Sequence, residues 1–246
     1  MQNRYVGDVG DYVKLAILRT LSVEKALGVA WWLYPDENHN GNGRHIGYLD
    51  RPEEWRDYDP DVFDALRIVV ESGERRVERL EAAGLLPGAR FFGEVIPTGE
   101  TAVERRRRRR DWFERLQTDM SDRDLIFLDP DNGLETRNFD PGGARAGKSV
   151  SVQELQSLRR EGRGLIVYHH QTRMPGGHQK ELAHWGARLR DSGFRTVDAL
   201  RASAYSVRAF FLLDADDLTR GRARMLAERW GRRLTWHPDP EGPVAT

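Results

Sequence analysis

The sequence predicts an α/β fold, because apolar runs of strand length alternate with helical segments along the chain. The runs at 124–129 and 164–169 are continuously apolar, as in parallel strands that are buried on both faces of a sheet. Two further strands, at 195–202 and 205–213, are joined by a short link that indicates an antiparallel hairpin. Together these features predict a doubly wound, Rossmann-like, mostly parallel sheet with a C-terminal antiparallel hairpin and helices on both faces.

The remaining elements follow from apolar spacing and from turn-forming residues. In chain order they are a helix at 10–27, a strand at 28–34, two helices within 60–86, a strand at 89–97, and helices at 99–120, near 151–161, at 177–192 and at about 216–231. We expect one domain over 1–246, with a helical insertion near 51–86 and a frayed tail from Pro238.

The composition limits the classes of function. The chain contains no cysteine, which excludes disulfides, thiolate metal sites and a cysteine nucleophile. No apolar run approaches the roughly 20 residues of a membrane span, and the first residues lack the plan of a secretory signal. We therefore expect a cytoplasmic protein that does not enter a membrane. The 39 basic and 39 acidic residues balance, so no global basic field indicates nucleic acid.

Polar residues follow three predicted strands at their carboxyl ends, within 36–44, 129–132 and 169–173. In open α/β sheets, ligands bind beyond the carboxyl ends of the strands. We therefore expect these segments to converge at one edge of the sheet. Gly41-Asn42-Gly43 in the first segment would let the backbone approach a ligand, and His39 is either a ligand contact or a solvated loop residue.

The most informative segment is Asp129-Pro130-Asp131-Asn132-Gly133, which follows a deeply apolar strand. Pro130 ends the strand because proline has no N–H to donate, and the following residues predict a tight turn with a positive φ at Gly133. The same string is common in plain turns. Here, however, the carboxylates of Asp129 and Asp131 are costly at the end of a buried strand unless they bind something. We interpret this turn as the centre of the functional site.

Two adjacent histidines, His169 and His170, end the strand at 164–169. Adjacent residues of a strand point to opposite faces, so at most one of the two faces the site unless the strand has already ended. One histidine is therefore a candidate substrate contact or base. Alternatively, a histidine of this pair would join Asp129 and Asp131 in holding a divalent cation.

Two motifs suggest phosphate or nucleic acid, and both have an ordinary explanation. The segment 142–149 matches the P-loop pattern but does not lie directly between a strand and its helix, so we expect a chance match whose Lys148 still projects into the site. Arg105–Arg110 is a run of arginines in a chain where all but four of the 39 basic residues are arginine. On a helix these side chains spread around the circumference beside acidic residues. We expect a solvated helix, with RNA or DNA contact as the alternative.

Three segments resemble those of bacterial ribosomal-RNA adenine-N6 methyltransferases. They are Gly10-Asp11-Tyr12-Val13-Lys14, Glu37-Asn38-His39-Asn40-Gly41-Asn42-Gly43-Arg44, and Leu128-Asp129-Pro130. The family's motifs are Ala-Asp-Val-Leu-Lys-His, Thr-His-Ala-Gly-Ala-Gly-Arg and Asp-Pro-Pro-Tyr. The Gly-Asp-Tyr and Asp-Pro-Asp-Asn-Gly strings are also similar to those of uncharacterised bacterial proteins, and a C-terminal antiparallel pair is typical of class I methyltransferase-like folds.

The resemblance implies that the cofactor is S-adenosylmethionine. The residues that it places at the cofactor are His39, Gly41 and Gly43, with Asp11, Lys14 and Glu37 nearby. The family's catalytic aspartate falls on Asp129. Its carboxylate and the carbonyl of Pro130 would hold an exocyclic amine in line with the methyl group, and such positioning supplies most of the rate.

The chain departs from the family at three positions. Asp131 replaces the second proline, Asn132 replaces the aromatic residue that stacks on a flipped base, and Leu15 replaces the histidine after the lysine. Tyr168 or Trp32 would have to supply a ring in place of the missing one.

Three hypotheses follow. The first is an S-adenosylmethionine-dependent methyltransferase that acts on a nucleic acid or a nucleobase-like acceptor, with a catalytic set of Asp129, Pro130, Asp131, Asn132 and His169. The second is a metal-dependent nuclease or phosphodiesterase that uses Asp129, Asp131 and His169 or His170. The third is a non-catalytic member of the fold that binds nucleic acid or a partner through Arg105–Arg110.

Overall fold

The computed structural model of the chain describes residues 1–37, 43–172 and 174–242. Its α-helices α1 to α8 span Val9–Leu21, Pro52–Trp55, Pro60–Glu71, Val77–Ala82, Ala102–Asp119, Val152–Ser157, Gly177–Asp191 and Asp217–Trp230. Its strands β1 to β9 span Leu27–Ala30, Arg90–Phe92, Leu125–Leu128, Gly133–Leu134, Ser149–Val150, Gly164–His170, Val197–Ala202, Arg208–Leu213 and Leu234–His237.

Seven strands form the main sheet, in the order β2-β1-β3-β6-β8-β7-β9. Strands β2, β1, β3 and β6 are parallel neighbours. Strand β8 is antiparallel to both β6 and β7, and β9 is antiparallel to β7. The predicted α/β fold, with a parallel region and a C-terminal antiparallel hairpin, is confirmed. The two short strands β4 and β5 form a separate parallel pair.

The sheet separates two hydrophobic cores, because successive side chains of a strand point to opposite faces. Val29 and Phe127 contribute to one core together with residues of α1, α3 and α8. Ile126 and Leu128 contribute to the other core together with residues of α5, α6 and α7. The prediction of helices on both faces is therefore confirmed.

The region between β1 and β2 contains the three helices α2, α3 and α4, where the helical insertion was expected. The side chain of Asp59 caps α3 by accepting a hydrogen bond from the Val62 amide. The hydroxyl of Tyr12 on α1 donates to the carbonyl of Trp55 over 2.6 Å, which fixes α2 against α1. Across the three described ranges, no helix combines the length and the apolar character that a bilayer span requires.

The C-terminal end differs from the prediction. Strand β9 was not predicted, and it places a further strand outside the hairpin by pairing with β7. The expected fraying from Pro238 is wrong for the described residues up to 242. There, the buried carboxylate of Asp239 pairs with Arg190 over 2.7 Å and accepts the Val197 amide over 2.8 Å. These bonds attach the tail to α7 and to the start of β7.

The chain reverses its direction across the sheet at β1, which lies between β2 and β3. The chain passes from β1 to β2 on one side and returns to β3 on the other side of β1. Ligands of open α/β sheets bind beyond the carboxyl ends of the strands at such a reversal. The N-terminus of α1 and the turn between β7 and β8 also reach this edge.

Candidate functional site

A cleft of about 500 Å³ lies at this edge of the sheet. Its volume falls within the range of small-molecule sites. Residues from all three predicted strand ends line it, so the three segments converge as expected. The predicted site residues that line the cleft are Asp11, Lys14, Glu37, Gly43, Asp129, Asp131 and Asn132. His39 and Gly41 lie outside the described residues.

The centre of the cleft is an ion-paired triad of Asp11, Lys14 and Asp129. The Lys14 ammonium donates to Asp11 Oδ1 over 2.7 Å and to Asp129 Oδ2 over 2.6 Å, and all three residues are buried. Burial alone would lower the pKa of Lys14, but the two carboxylates outweigh it and raise this pKa above its ordinary value. Burial raises the pKa of Asp11, and Lys14 offsets part of that rise.

The second carboxylate of the motif, Asp131, is engaged differently. Its Oδ1 lies 2.8 Å from the amino group of Met1, and its Oδ2 accepts a hydrogen bond from the side chain of Gln2. Burial favours a higher pKa for Asp131, but the Met1 ammonium and these hydrogen bonds outweigh burial and lower the pKa. Asp131 therefore attaches the first two residues of the chain to the turn.

The turn after β3 has the predicted geometry. Gly133 has a φ of +87°, and a Cβ at this position would overlap the backbone of His169. The Asn132 amide donates to the Lys148 carbonyl over 2.8 Å, and the Gly133 amide donates to the Pro130 carbonyl over 3.1 Å. The Pro130 carbonyl thus already accepts a hydrogen bond within the turn, and Pro130 is not among the residues that line the cleft.

The two histidines face opposite sides of β6, as the strand alternation requires. His170 lines the cleft, whereas His169, the histidine placed in the catalytic set, is buried behind the turn and is not among the residues that line the cleft. His169 Nδ1 accepts the Leu134 amide over 3.1 Å, and its Nε2 lies 3.2 Å from Glu181 Oε1. Because Nδ1 accepts, Nε2 carries the proton and donates to Glu181. Burial and the positive charge of Arg208 lower the pKa of His170.

Glu37 and Lys148 form an ion pair at the cleft. The prediction that Lys148 projects into the site is confirmed, since both residues line the cleft. Gly43 has a φ of +82°, and a Cβ there would overlap the carbonyl oxygen of Arg4. The close approach that requires glycine at this position is therefore to the N-terminal segment.

Several cleft residues were not identified from the sequence. Asp8 caps α1 by accepting the Gly10 amide over 2.9 Å, and it pairs with Arg208 over 3.2 Å. Arg208 also donates to the carbonyl of Ala204 over 2.9 Å. An aspartate just before a predicted helix is an N-cap signal that could have identified Asp8. No local pattern marks Arg208 or the others, which are Met1, Tyr5, His45, Arg145 and Ser206.

One of the two rings considered for base stacking lies in the cleft. Tyr168 lines it half-buried, with its ring centroid 5.9 Å from the Lys14 ammonium. Trp32 is fully buried in the core that contains residues of α5, α6 and α7, where its ring packs edge-on against Trp112 with centroids 4.8 Å apart. Only Tyr168 of the two can contact a ligand in the cleft.

The arginine run lies on α5, and most of it is used within the protein. Arg109 is buried, pairs with Glu154 over 2.7 Å and donates to the carbonyls of Ala146 and Ser149. The expectation of a solvated run is therefore wrong at Arg109. Four others have partners too: Gly142 for Arg105, Asp140 for Arg106, Thr98 for Arg108 and Asp111 for Arg110.

The described residues contain no cluster of three or more histidine, aspartate or glutamate side chains placed to hold a metal ion. Asp129 is paired with Lys14, Asp131 with Met1, and His169 with Glu181. No protein-family model matches the chain, and no curated protein matches it. The site is therefore interpreted from its own geometry and from the motif resemblance.

Proposed function

We propose that the protein is a cytoplasmic, S-adenosylmethionine-dependent methyltransferase that acts on a nucleic acid or a nucleobase-like acceptor. The observation that carries the proposal is the bond between Lys14 and Asp129. It joins two of the three segments that resemble the methyltransferases, and the third segment contributes Glu37 and Gly43 to the same cleft. The hairpin of β7 and β8 beside β6 agrees with the fold that the resemblance implies.

The chemistry of the cleft suits this cofactor. The carboxylate of Glu37 provides an acceptor for ribose hydroxyls, and the carboxylates of Asp11 and Asp129 add to a negative environment for a sulfonium cation. Lys148 and Arg145 lie in the same cleft and offer cations for the carboxylate of the methionine portion. The cofactor, when bound, supplies the methyl group.

The chain's own residues would bind and orient the acceptor. Lys14 holds Oδ2 of Asp129, and in the described residues no group donates to the other oxygen, Oδ1. Asp129 lines the cleft, so Oδ1 is placed to accept an N–H of the acceptor. Because Asp129 is held by the buried Lys14, its carboxylate is preorganised for that contact, and positioning of this kind lowers the barrier to methyl transfer.

The geometry gives less support to a metal-dependent nuclease or phosphodiesterase. That hypothesis needs Asp129, Asp131 and a histidine as ligands of one cation. Asp129 and Asp131 are each engaged by an ammonium group. His169 lies behind the turn and is bonded to the Leu134 amide, which leaves His170 as the histidine of the pair that lines the cleft.

Cationic side chains at the cleft and on α5 support a nucleic acid as the substrate that contains the methyl-accepting group. Arg145 lines the cleft and is exposed, and Arg107 on α5 is exposed as well. Exposed arginines of this kind bind phosphates, and the binding weakens as salt increases. Arg105, Arg106, Arg108 and Arg109 bond to residues outside α5, which reduces the support for a purely nucleic-acid-binding protein.

Calorimetric titration with S-adenosylmethionine and S-adenosylhomocysteine tests the proposal. We expect saturable heat with both, and weaker binding in Glu37→Gln, which removes a carboxylate from the cleft. Asp36→Asn is the matched control, because Asp36 is exposed and is not among the cleft-lining residues. No heat at high micromolar concentration of either ligand would contradict the proposal.

A further inference from the structure

A second pocket, of about 340 Å³, lies at the edge of the sheet opposite the cleft. The segments before β6, before β7 and after β8 form it, within 159–163, 195–196 and 214–215. They meet because β8 is antiparallel to both β6 and β7, so its end lies beside the starts of those strands. Strand β6 thus begins at this pocket and ends at the cleft, where His170 lies. We propose that the pocket binds the phosphate group of a small phosphorylated molecule, at a site separate from the cleft.

The guanidinium of Arg163 supplies a buried positive charge at this pocket. Arg163 is 7% exposed, and among the described residues it forms no ion pair with a carboxylate. Its hydrogen bonds go instead to the carbonyl oxygens of Leu158, Met120, Ser121 and Arg123. Burial and the charge of Arg160 lower the pKa of Arg163 and outweigh Asp124 and Asp122, which raise it. A buried cation without a counter-ion is costly, and an anion in the adjoining pocket would offset that cost.

The hydroxyl of Thr196 is a second, independent indication of a ligand. Thr196 is only 8% exposed and lines the pocket, and its Oγ1 has no hydrogen-bond partner among the described residues. Its backbone is fixed, because its amide donates to Asp214 Oδ1 over 3.3 Å and its carbonyl accepts the Asp214 amide over 3.0 Å. A buried hydroxyl without a partner is costly. A phosphate oxygen in the pocket would accept its hydrogen bond.

Two further arginines offer donors at the pocket. Arg159 donates to Asp214 through Nε over 3.3 Å, and its guanidinium lies 5.1 Å from the centroid of the Phe194 ring. The two terminal nitrogens of Arg159 donate no hydrogen bond to a described residue. Arg195 is exposed, and its side chain pairs with no carboxylate in the described part of the chain. Guanidinium groups present paired N–H donors that match the oxygens of a phosphate.

The charges around the pocket favour a small anion over an extended one. Four arginines line it against one aspartate and one glutamate, Asp214 and Glu161, so positive charge is in excess inside. Next to the pocket, Asp124 pairs with Arg160 over 3.3 Å, and Glu161 is exposed. These carboxylates would repel a polyanion that extended beyond the pocket. The volume lies at the lower end of the range for small-molecule sites, which suits a phosphate with a small organic group.

The test is binding of inorganic phosphate and of ribose 5-phosphate to the full chain at constant ionic strength. Two-dimensional NMR of the backbone amides and thermal unfolding follow the binding. We expect both probes to produce saturable shifts of the Thr196 and Asp214 amides and to raise the melting temperature. Arg159→Gln, which removes a donor cation, should weaken binding by roughly tenfold or more.

Thr196→Val separates ligand binding from folding. It removes a hydroxyl that has no partner in the described residues and keeps the shape of the side chain, so the protein without phosphate should be at least as stable as before. Binding of both probes should weaken by roughly threefold to tenfold. Loss of stability in Thr196→Val without phosphate would contradict the inference, because it would show that the hydroxyl serves the fold.

Each variant has a matched control. Arg107→Gln makes the same change of net charge at an exposed position outside the pocket, and Thr235→Val removes an exposed hydroxyl on β9. Both should bind the probes like the unchanged protein. Shifts that do not saturate, or equal weakening in Arg107→Gln and Arg159→Gln, would overturn the inference. Tighter binding of a single-stranded oligonucleotide at the same amides would also overturn it, by assigning the pocket to nucleic acid. The proposed methyl transfer does not depend on this pocket.

Discussion

The ammonium of Lys14 lies 2.6 Å from Oδ2 of Asp129, although the two residues are 115 positions apart in the chain. Lys14 belongs to α1 and Asp129 follows β3, so the ion pair joins a helix to the end of the central strand. Both side chains are only 4% exposed. An unpaired charge at such a buried site is costly in free energy. The geometry of the cleft therefore depends on the ion pair.

Replacing Lys14 by methionine should destabilise the protein strongly. The substitution leaves the carboxylates of Asp11 and Asp129 buried without their cation, a change that costs about 3–5 kcal/mol. Urea unfolding followed by tryptophan fluorescence measures this loss. Lys25→Met is the control, because Lys25 pairs with Asp216 at the surface and should contribute no more than about 1 kcal/mol.

The double variant Lys14→Met with Asp129→Asn tests the pair itself. Its loss of stability should be smaller than the sum of the two single losses, because the second substitution removes a charge that the first left unpaired. Additive losses would show that Lys14 stabilises the fold independently of Asp129.

Arg109 should differ from the other members of the arginine run. Arg109→Ala leaves Glu154 and two carbonyl oxygens without their donor, and we expect a loss of about 2–4 kcal/mol in the free energy of unfolding. Arg107→Ala is the matched control and should change stability by less than about 0.5 kcal/mol. Equal effects of the two substitutions would contradict the role of Arg109 in holding the 146–149 segment beside the cleft.

Gly133 should tolerate alanine much less well than Gly162 does. Both residues have a positive φ, +87° and +76°, so alanine costs roughly 1–2 kcal/mol at either position. At Gly133 the added Cβ also overlaps the backbone of His169, whereas the space at Gly162 is open. The overlap should add about 1–3 kcal/mol to the loss at Gly133. Thermal unfolding of the two variants measures the difference, and similar melting temperatures would contradict it.

Glu181 should make stability depend on acidity. Burial favours a higher pKa, but hydrogen bonds from His169 and Thr172 outweigh it and lower the pKa of Glu181 from 4.5 to about 2. A lowered carboxyl pKa contributes stability above the unfolded value and loses it as the pH falls through the folded value. The contribution is therefore present above pH 4.5 and disappears toward pH 2.

Urea unfolding at several pH values measures this dependence. Glu181→Gln should flatten the fall of stability over this interval by up to about 1.4 kcal/mol per pH unit. Glu161→Gln, at an exposed position, is the control and should keep the slope of the unchanged protein. If the stability of Glu181→Gln fell with pH as steeply as that of the unchanged protein, the hydrogen bonds from His169 and Thr172 would not favour the ionised form of Glu181.

The sequence predicted the architecture well because its signals are local. The apolar run at 124–129 appears as β3, and Asp129 follows that strand as expected. Gly133 has the positive φ that its turn requires. Strand β9 was missed because Leu234–His237 is short and its partner β7 lies far away in the chain.

The contacts within the site depended on long-range pairing and could not be predicted in the same way. Nothing near Arg208 in the sequence indicates that its guanidinium meets Asp8 across the cleft. The engagement of Asp131 by Met1 likewise has no local signal. Strand alternation correctly limited the site to one histidine, but only the register of β6 decides that it is His170.

A crystal structure of the protein with S-adenosylhomocysteine would show whether the cleft is the cofactor site. We expect the ligand to occupy the cleft between Lys14, Glu37 and Gly43, within contact distance of Asp129. Density for the ligand at another place on the protein, or an empty cleft in crystals grown at a saturating concentration, would contradict it.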